Sequence, residues 1–312
     1  MAKRSRKIKK SIVFIFIFLF LILICLGLYY YFDKEAKINK KIYDDLKIEI
    51  KNKEKSASDL SIKLSSLDEK INSYKDIDNS INKIKSDYFK AIKDLEDKII
   101  NGQSNKKIAY MTFDDGPYFN TYKVLDILDK YDVKATFFTI SANGQYCYDN
   151  KEADCFKLYK EYVKRGHTIA NHTYTHAIFK GLYNSSDSFM DAIIKQEEHI
   201  KNQTGGYLTN IVRFPGGSAS ARGFKNEIIS KLKARGYGWV DWSAGDGDGG
   251  GLASNEQAFA NFKSTINDNI EVILFHDYSK YTTAILPDAI NYLKENGYEI
   301  YPLFYESNKI NK

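Results

Sequence analysis

Three regimes of hydrophobic patterning follow one another along the chain. The first is continuous: Ile12 to Phe32 carries no charge and is almost wholly apolar. About 20 such residues are enough for a helix to cross the hydrocarbon of a bilayer. The second is periodic. Leu60, Leu67, Tyr74, Ile81, Tyr88 and Leu95 recur every seventh residue, with Leu64, Ile71, Asp78, Lys85, Ile92 and Ile99 as a second series between them. Ten of these twelve positions are apolar or Tyr, which is a coiled-coil seam with a polar flaw in its middle. No Gly or Pro interrupts Asp33 to Ile100, and Tyr43, Leu46 and Ile50 keep the phase. Such polar composition otherwise suggests disorder, and a helical hairpin bent near Asp78 is the rival to a self-pairing stalk. The heptads favour the stalk.

The third regime alternates short apolar runs with amphipathic ones. Strands are expected at Ile108–Phe113, Ala135–Ile140, Thr168–Asn171, Ile211–Phe214, Gly238–Trp242, Ile270–Phe275 and Glu299–Leu303. Helices are expected between them at Thr121–Tyr131, Phe156–Arg165, Ser188–Gln203, Lys225–Arg235, Glu256–Asn267 and Thr282–Asn296. Repetition of this kind predicts an α/β fold with a parallel sheet, a (β/α) barrel of about seven strands. The expected organisation is a basic cytoplasmic tail over 1–10, a transmembrane anchor over 11–32 and a helical coiled-coil stalk over 33–100. Asn101-Gly-Gln-Ser-Asn105 is the linker, 106–305 the α/β domain and 306–312 a tail.

Charge changes this picture in one place. The formal net charge of +6 is matched by Lys3, Arg4, Arg6, Lys7, Lys9 and Lys10 alone. A basic flank stays in the cytoplasm, so the anchor is expected to be single-pass, with everything after Phe32 outside the cell. A cleaved signal peptide would have a shorter apolar core and a small-residue cleavage site, whereas this run ends in Tyr29-Tyr30-Tyr31-Phe32. The remaining charge is nearly balanced, and no basic stripe interleaved with aromatics points to nucleic acid. The stalk makes a homodimer the expected assembly. Cys147 and Cys155 share a Tyr/Asp/Asn-rich loop, where an extracellular setting permits a disulfide and two free thiols are the alternative.

Chemistry gathers where the expected strands end, the active face of parallel α/β folds. Asp114 and Asp115 follow the first strand and precede Gly116-Pro117; His172 and His176 follow the third; Arg213 precedes Pro215-Gly216-Gly217; His276 ends Val272-Ile-Leu-Phe275. Two imidazoles and a carboxylate make a three-ligand site with open positions, the usual form of a catalytic metal. Such an ion lowers the pKa of water towards ~7 and polarises a carbonyl. One Asp suffices as ligand, which leaves the other free to act as general base. Arg213 can hold that carboxylate ionised through bidentate bonds, the Gly216-Gly217 backbone can offer an N–H to an oxyanion, and His276 can protonate a leaving group.

Taken in order, Thr112-Phe-Asp-Asp-Gly-Pro117, His172-Thr-x-x-His176, Arg213-Phe-Pro-Gly-Gly217 and Leu274-Phe-His276 resemble the motifs of the polysaccharide deacetylase (NodB-homology) family, carbohydrate esterase family four. The resemblance spans Lys106 to Tyr305. It implies a distorted (β/α) barrel and metal-dependent removal of acetyl groups from N-acetylated sugars in a polymer. The expected anchor and stalk, which would hold the site near the cell wall, make the N-acetylglucosamine of peptidoglycan the expected substrate. Other expected substrates are poly-N-acetylglucosamine, chitin or xylan, and an inactive glycan-binding module is the alternative from another class. It further implies Asp115, His172 and His176 as metal ligands, Asp114 as base, Arg213 as its partner and His276 as acid, with Leu274 lining the acetyl pocket. One divalent ion is expected; zinc suits the donors, and cobalt, nickel, manganese or iron also fit. Two departures stand out. Family members often carry a bulky residue where this chain has Gly216, leaving only a backbone N–H to serve. The usual Asp partner of the acid His is left open among Asp241, Asp246 and Asp248, and their Gly-rich loop also admits a calcium-site reading.

Overall fold

The computed structural model describes residues 83–84, 86–141 and 157–303. The expected tail, anchor and most of the stalk lie outside these residues, as do Cys147, Cys155 and the segment 306–312. Among the described residues no helix is long and apolar enough to cross a membrane. The chain divides into a unit Met1–Ala91 and a unit Ile92–Lys312. Of the first, the described residues are helical.

The second unit opens inside that helix (α1, 86–100). Ile92, Glu96 and Ile99, three and four residues apart, line one face and are buried. Tyr110 Oη donates to Glu96 Oε2 at 3.1 Å. The last turns of the heptad pattern are therefore packed within the α/β unit, and the linker expected at 101–105 follows a helix end already built into it.

The rest alternates as the patterning predicts. It comprises β1 (Lys107–Asp114), α2 (Thr121–Lys130), β2 (Thr136–Thr139), α3 (Lys157–Lys164), β3 (Thr168–Asn171), α4 (Ser186–Thr204) and β4 (Ile211–Val212). Then come α5 (Lys225–Ala234), β5 (Gly238–Trp239), β6 (Ala244–Gly245), α6 (Asn255–Thr265), β7 (Ile270–His276), α7 (Lys280–Glu295) and β8 (Tyr298–Tyr301). Seven strands form the path β5-β4-β3-β2-β1-β7-β6, and β8 pairs with β1 off that path. Every pairing is parallel. β6 is the strand the sequence does not announce, because Ala-Gly offers neither β-branching nor alternation.

The path is a distorted half-barrel whose end strands are consecutive in sequence. Val240 N–H bonds Val212 O at 3.0 Å and Ser243 N–H bonds Val272 O at 2.9 Å, so the segment between β5 and β6 spans the gap. β1 is central and buried on both faces along nearly its whole length, as strands of parallel sheets usually are. Phe113 stacks on Phe137 at 5.1 Å, and Phe137 on Tyr162 at 4.3 Å. α2 turns Val124, Leu125 and Leu128 into this core. Burying each such side chain stabilises the fold by roughly 1.5–3 kcal/mol. Register then fixes the site: Asp114 lies level with Phe138 of β2 and His276 of β7.

Candidate active site

β1 ends at Asp114, and Asp115 takes φ 69°, a left-handed conformation that Asp tolerates better than most residues. That rotation brings the neighbouring carboxylates to one mouth, and the Gly116–Pro117 bond that follows is cis. A Cβ on Gly116 would overlap the Asp277 carboxylate, so only glycine fits there. Asp277 is buried and accepts from Thr121 Oγ1 at 2.5 Å.

The two histidines are held by a turn rather than a helix. Asn171, the last residue of β3, accepts the Thr173 N–H at 2.9 Å and donates to Ile193 O at 2.8 Å. Thr173 and His176 have φ of 67° and 51°, and the His176 N–H bonds Thr173 Oγ1 at 3.2 Å. The imidazole centroids then lie 5.0 Å apart. Nε2 of each ring is 3.6 Å from Asp115 Oδ1. The ligand atoms of Asp115, His172 and His176 all fall within 4.8 Å of one another.

These residues fit a divalent ion on two grounds. Donor atoms about 2.1 Å from a metal are about 3–3.5 Å apart in tetrahedral or octahedral arrangements, close to the spacing here. In addition, His172 Nδ1 lies 2.8 Å from Arg213 O, so Nδ1–H donates and Nε2 keeps its lone pair. Burial, offset only in part by Asp115, pushes the His172 pKa down to about 3 and keeps the ring neutral. A neutral acceptor nitrogen facing carboxylate oxygens is an arrangement that a cation satisfies.

Asp114 flanks this triad, its Oδ2 3.6 Å from His172 Nε2. Its other oxygen accepts from Arg213 Nη1 at 2.8 Å. The guanidinium is not bidentate to Asp114 as the sequence suggested. Nη1 also donates to Thr112 Oγ1 at 2.7 Å and Nη2 to Asp241 O at 3.2 Å, while the plane lies 4.2 Å over the Phe138 ring. Arg213 is fully buried, and its donors are shared among Asp114, the Thr112 hydroxyl and the Val240 and Asp241 carbonyls. Burial raises the Asp114 pKa above the ordinary carboxylate range even against the Arg213 charge.

The Gly216-Gly217 turn is left-handed at both residues. Gly217 N–H bonds Phe214 O at 2.8 Å and closes the turn, which leaves Gly216 as the donor of the pair to consider. A Cβ on Gly216 would meet Ser220 Oγ at 2.9 Å and Ile178 Cδ1 at 3.1 Å, so the space of a bulkier residue is already filled. Leu274 and His276 alternate with the buried Ile273 and Phe275, and both look out at the strand's open face.

The structure separates the three aspartates that the sequence left open. Asp241 takes the Ser218 N–H at 2.9 Å and its hydroxyl at 2.5 Å, pinning the turn after Gly217. Asp248 Oδ1 lies 2.6 Å from His276 Nδ1, and Oδ2 accepts the His276 N–H at 2.8 Å. Asp246 turns inward to Thr282 at 2.7 Å. With two carboxylates facing the protein, the calcium reading of this loop gives way to support of His276. His276 Nε2 faces the triad, 3.8 Å from Asp115 Oδ2.

Burial opposes a charge on His276. The Asp248 bond and charge, aided by Asp115 and Asp114, outweigh it and push the pKa up to about 9. In the expected role of general acid His276 must be protonated to act, so activity is expected to fall as pH rises through that value. A pH–rate profile checks this, and His276→Ala should remove the alkaline limb.

The polysaccharide deacetylase family model matches residues 101–237. The peptidoglycan-N-acetylglucosamine deacetylase of Bacillus cereus is 30% identical over 219 residues, covering 66% of this chain and 72% of that one. The catalytic domain of a peptidoglycan N-acetylglucosamine deacetylase from Eubacterium rectale superposes with a TM-score of 0.58 at 33% identity, covering 67% and 95%. A polysaccharide deacetylase from Bacillus cereus gives 0.55 at 29%, covering 65% and 93%.

Proposed function

The chain belongs to the polysaccharide deacetylase family, a family of hydrolases acting on N-acetyl amide bonds, and from that premise we propose that it deacetylates the N-acetylglucosamine residues of peptidoglycan. The observation that carries the reading is the order of groups across one mouth: Asp114 with Arg213, then the Asp115/His172/His176 triad, then His276 with Asp248. A divalent ion held by that triad supplies Lewis-acid chemistry, polarising the acetyl carbonyl and making water more acidic. Zinc is the ion the donors favour.

Asp114 Oδ2 takes a proton from the attacking water while Arg213 holds Oδ1 in place. As the oxygen adds to the carbonyl carbon, the backbone N–H of Gly216 is the candidate donor to the developing oxyanion. His276 gives its Nε2 proton to the amide nitrogen, the C–N bond breaks, and acetate and a free amine leave. Asp248 on Nδ1 fixes the ring so that Nε2 faces the reaction. Leu274 shares the His276 face of β7, which supports the reading that it lines the pocket for the acetyl methyl.

The named peptidoglycan deacetylases among the relatives support the choice of polymer. So does an exposed aromatic rim: Phe179, 98% exposed, follows His176 closely, with Phe119 and Trp242 also exposed. The apolar segment 12–32 behind a basic cluster supports a membrane-anchored enzyme working outside the cell, and the heptads support a dimeric stalk.

Acetate release separates the readings. Metal-loaded protein is expected to release acetate from purified cell wall. Release from chitin oligomers or acetylated xylan alone would overturn the choice of polymer. No release from any of them would favour an inactive glycan-binding module.

A further inference from the structure

Behind the Asp248–His276 pair lies a second carboxyl that the reaction does not call for. Asp246 is fully buried. Its Oδ1 accepts the Asp248 N–H at 3.1 Å, and its Oδ2 lies 2.7 Å from Thr282 Oγ1. The same Thr282 oxygen is 2.6 Å from Asp248 Oδ2. Thr282 sits in the first turn of α7, where its N–H is taken by the Ser279 side chain at 3.2 Å. The helix cap therefore sets where the hydroxyl points.

Counting protons decides the arrangement. Two short hydrogen bonds join three oxygens, and a threonine hydroxyl brings one proton. The second must sit on a carboxyl. Asp248 receives both His276 donors. Against the cost of its burial, that bond and charge hold it below the ordinary carboxylate range. Among the described residues no cationic side chain bonds Asp246: its bonds are to Asp248, Thr282 and Asn261 of α6, whose amide donates to the Asp246 carbonyl at 3.1 Å. Burial first, then the Asp248 charge, raise its pKa to about 7.

We propose that Asp246 holds a proton and donates it to Thr282, whose own proton then fixes Asp248 in the orientation that grips His276. The chain of donors runs Asp246 to Thr282 to Asp248, with His276 Nδ1–H closing on Asp248 from the other side. Asp246 and Thr282 are thus positioning residues for the acid. Without them Asp248 is free to rotate about its χ torsions, and the imidazole loses its fixed aim. The inference rests on the reading of His276 as the acid.

Infrared difference spectroscopy on the full, metal-loaded chain at mildly acidic pH tests it without substrate. Wild type minus Asp246→Asn should show the carbonyl band of a protonated carboxylic acid. Loss of ionised-carboxylate bands alone would overturn the proposal, whether or not the protein hydrolyses any polymer. Kinetics supply the second arm. Asp246→Ala and Thr282→Val should each lower kcat by roughly tenfold, the effect of losing about one buried network bond, with KM and metal content unchanged. Asp246→Asn, whose amide N–H replaces the acid proton, and Thr282→Ser should recover most of that loss. Equal losses in kcat and binding, or no recovery by the conservative variants, would show a merely structural role and overturn it.

Discussion

Asp114→Asn is expected to cut turnover by about 10²–10⁴-fold, the usual contribution of a general base, while the triad still takes up one divalent ion. Asparagine keeps the shape, and its amide oxygen can still accept from Arg213 Nη1 where Asp114 Oδ1 does at 2.8 Å. What it lacks is a basic oxygen on the side facing His172. The ligand atoms come from Asp115, His172 and His176, so metal titration by calorimetry should match wild type. The acid limb of the pH profile should also disappear, since wild-type activity is expected to fall as pH drops and the buried Asp114 takes up a proton. Loss of metal by Asp114→Asn, with retention by Asp115→Asn, would reverse the two roles.

Removing the ion should have the largest effect of all. Chelation is expected to abolish acetate release, and one equivalent of zinc, or of another divalent ion that accepts nitrogen and oxygen donors, to restore it. Asp115→Asn should weaken metal binding by at least 10²-fold, more than the roughly 10–100-fold that partners outside the ligand set cost. Excess metal should then recover part of the rate. The cause is charge: Asp115 is the one anionic member of the triad, and an amide oxygen cannot neutralise a dication. Activity that survives exhaustive chelation would remove the ion from the mechanism.

Much of this site is legible in the sequence because parallel strands carry their signal to the residue where they stop. The apolar run through Phe113 and the one through Phe275 end at Asp114 and His276, and register sets the two level across the sheet. Asp248 is not legible in the same way. Its loop runs through five glycines between Gly245 and Gly251, and glycine fixes no side-chain direction, so Asp241, Asp246 and Asp248 look equivalent until Ser218, Thr282 and His276 are seen to claim one each. His172 and His176 follow the third expected strand, and the two left-handed residues that build their turn, Thr173 and His176, carry no sequence signal of their own. The expected bidentate Arg213 failed for a related reason: sequence names the partner but not the carbonyls competing for the same donors.

The buried end of α1 bears on how this protein is cut into pieces. By composition, Asn101–Asn105 is the natural place to sever the catalytic part from what precedes it. A fragment begun there discards Ile92, Glu96 and Ile99, all buried, and strips the Tyr110 hydroxyl of its carboxylate partner at the heart of β1. The uncovered apolar patch would favour aggregation, and weak activity in such a fragment would then report a damaged scaffold rather than poor chemistry. A fragment begun upstream of residue 86 keeps Ile92, Glu96 and Ile99 in place, and is the one in which a lost function can be traced to the site.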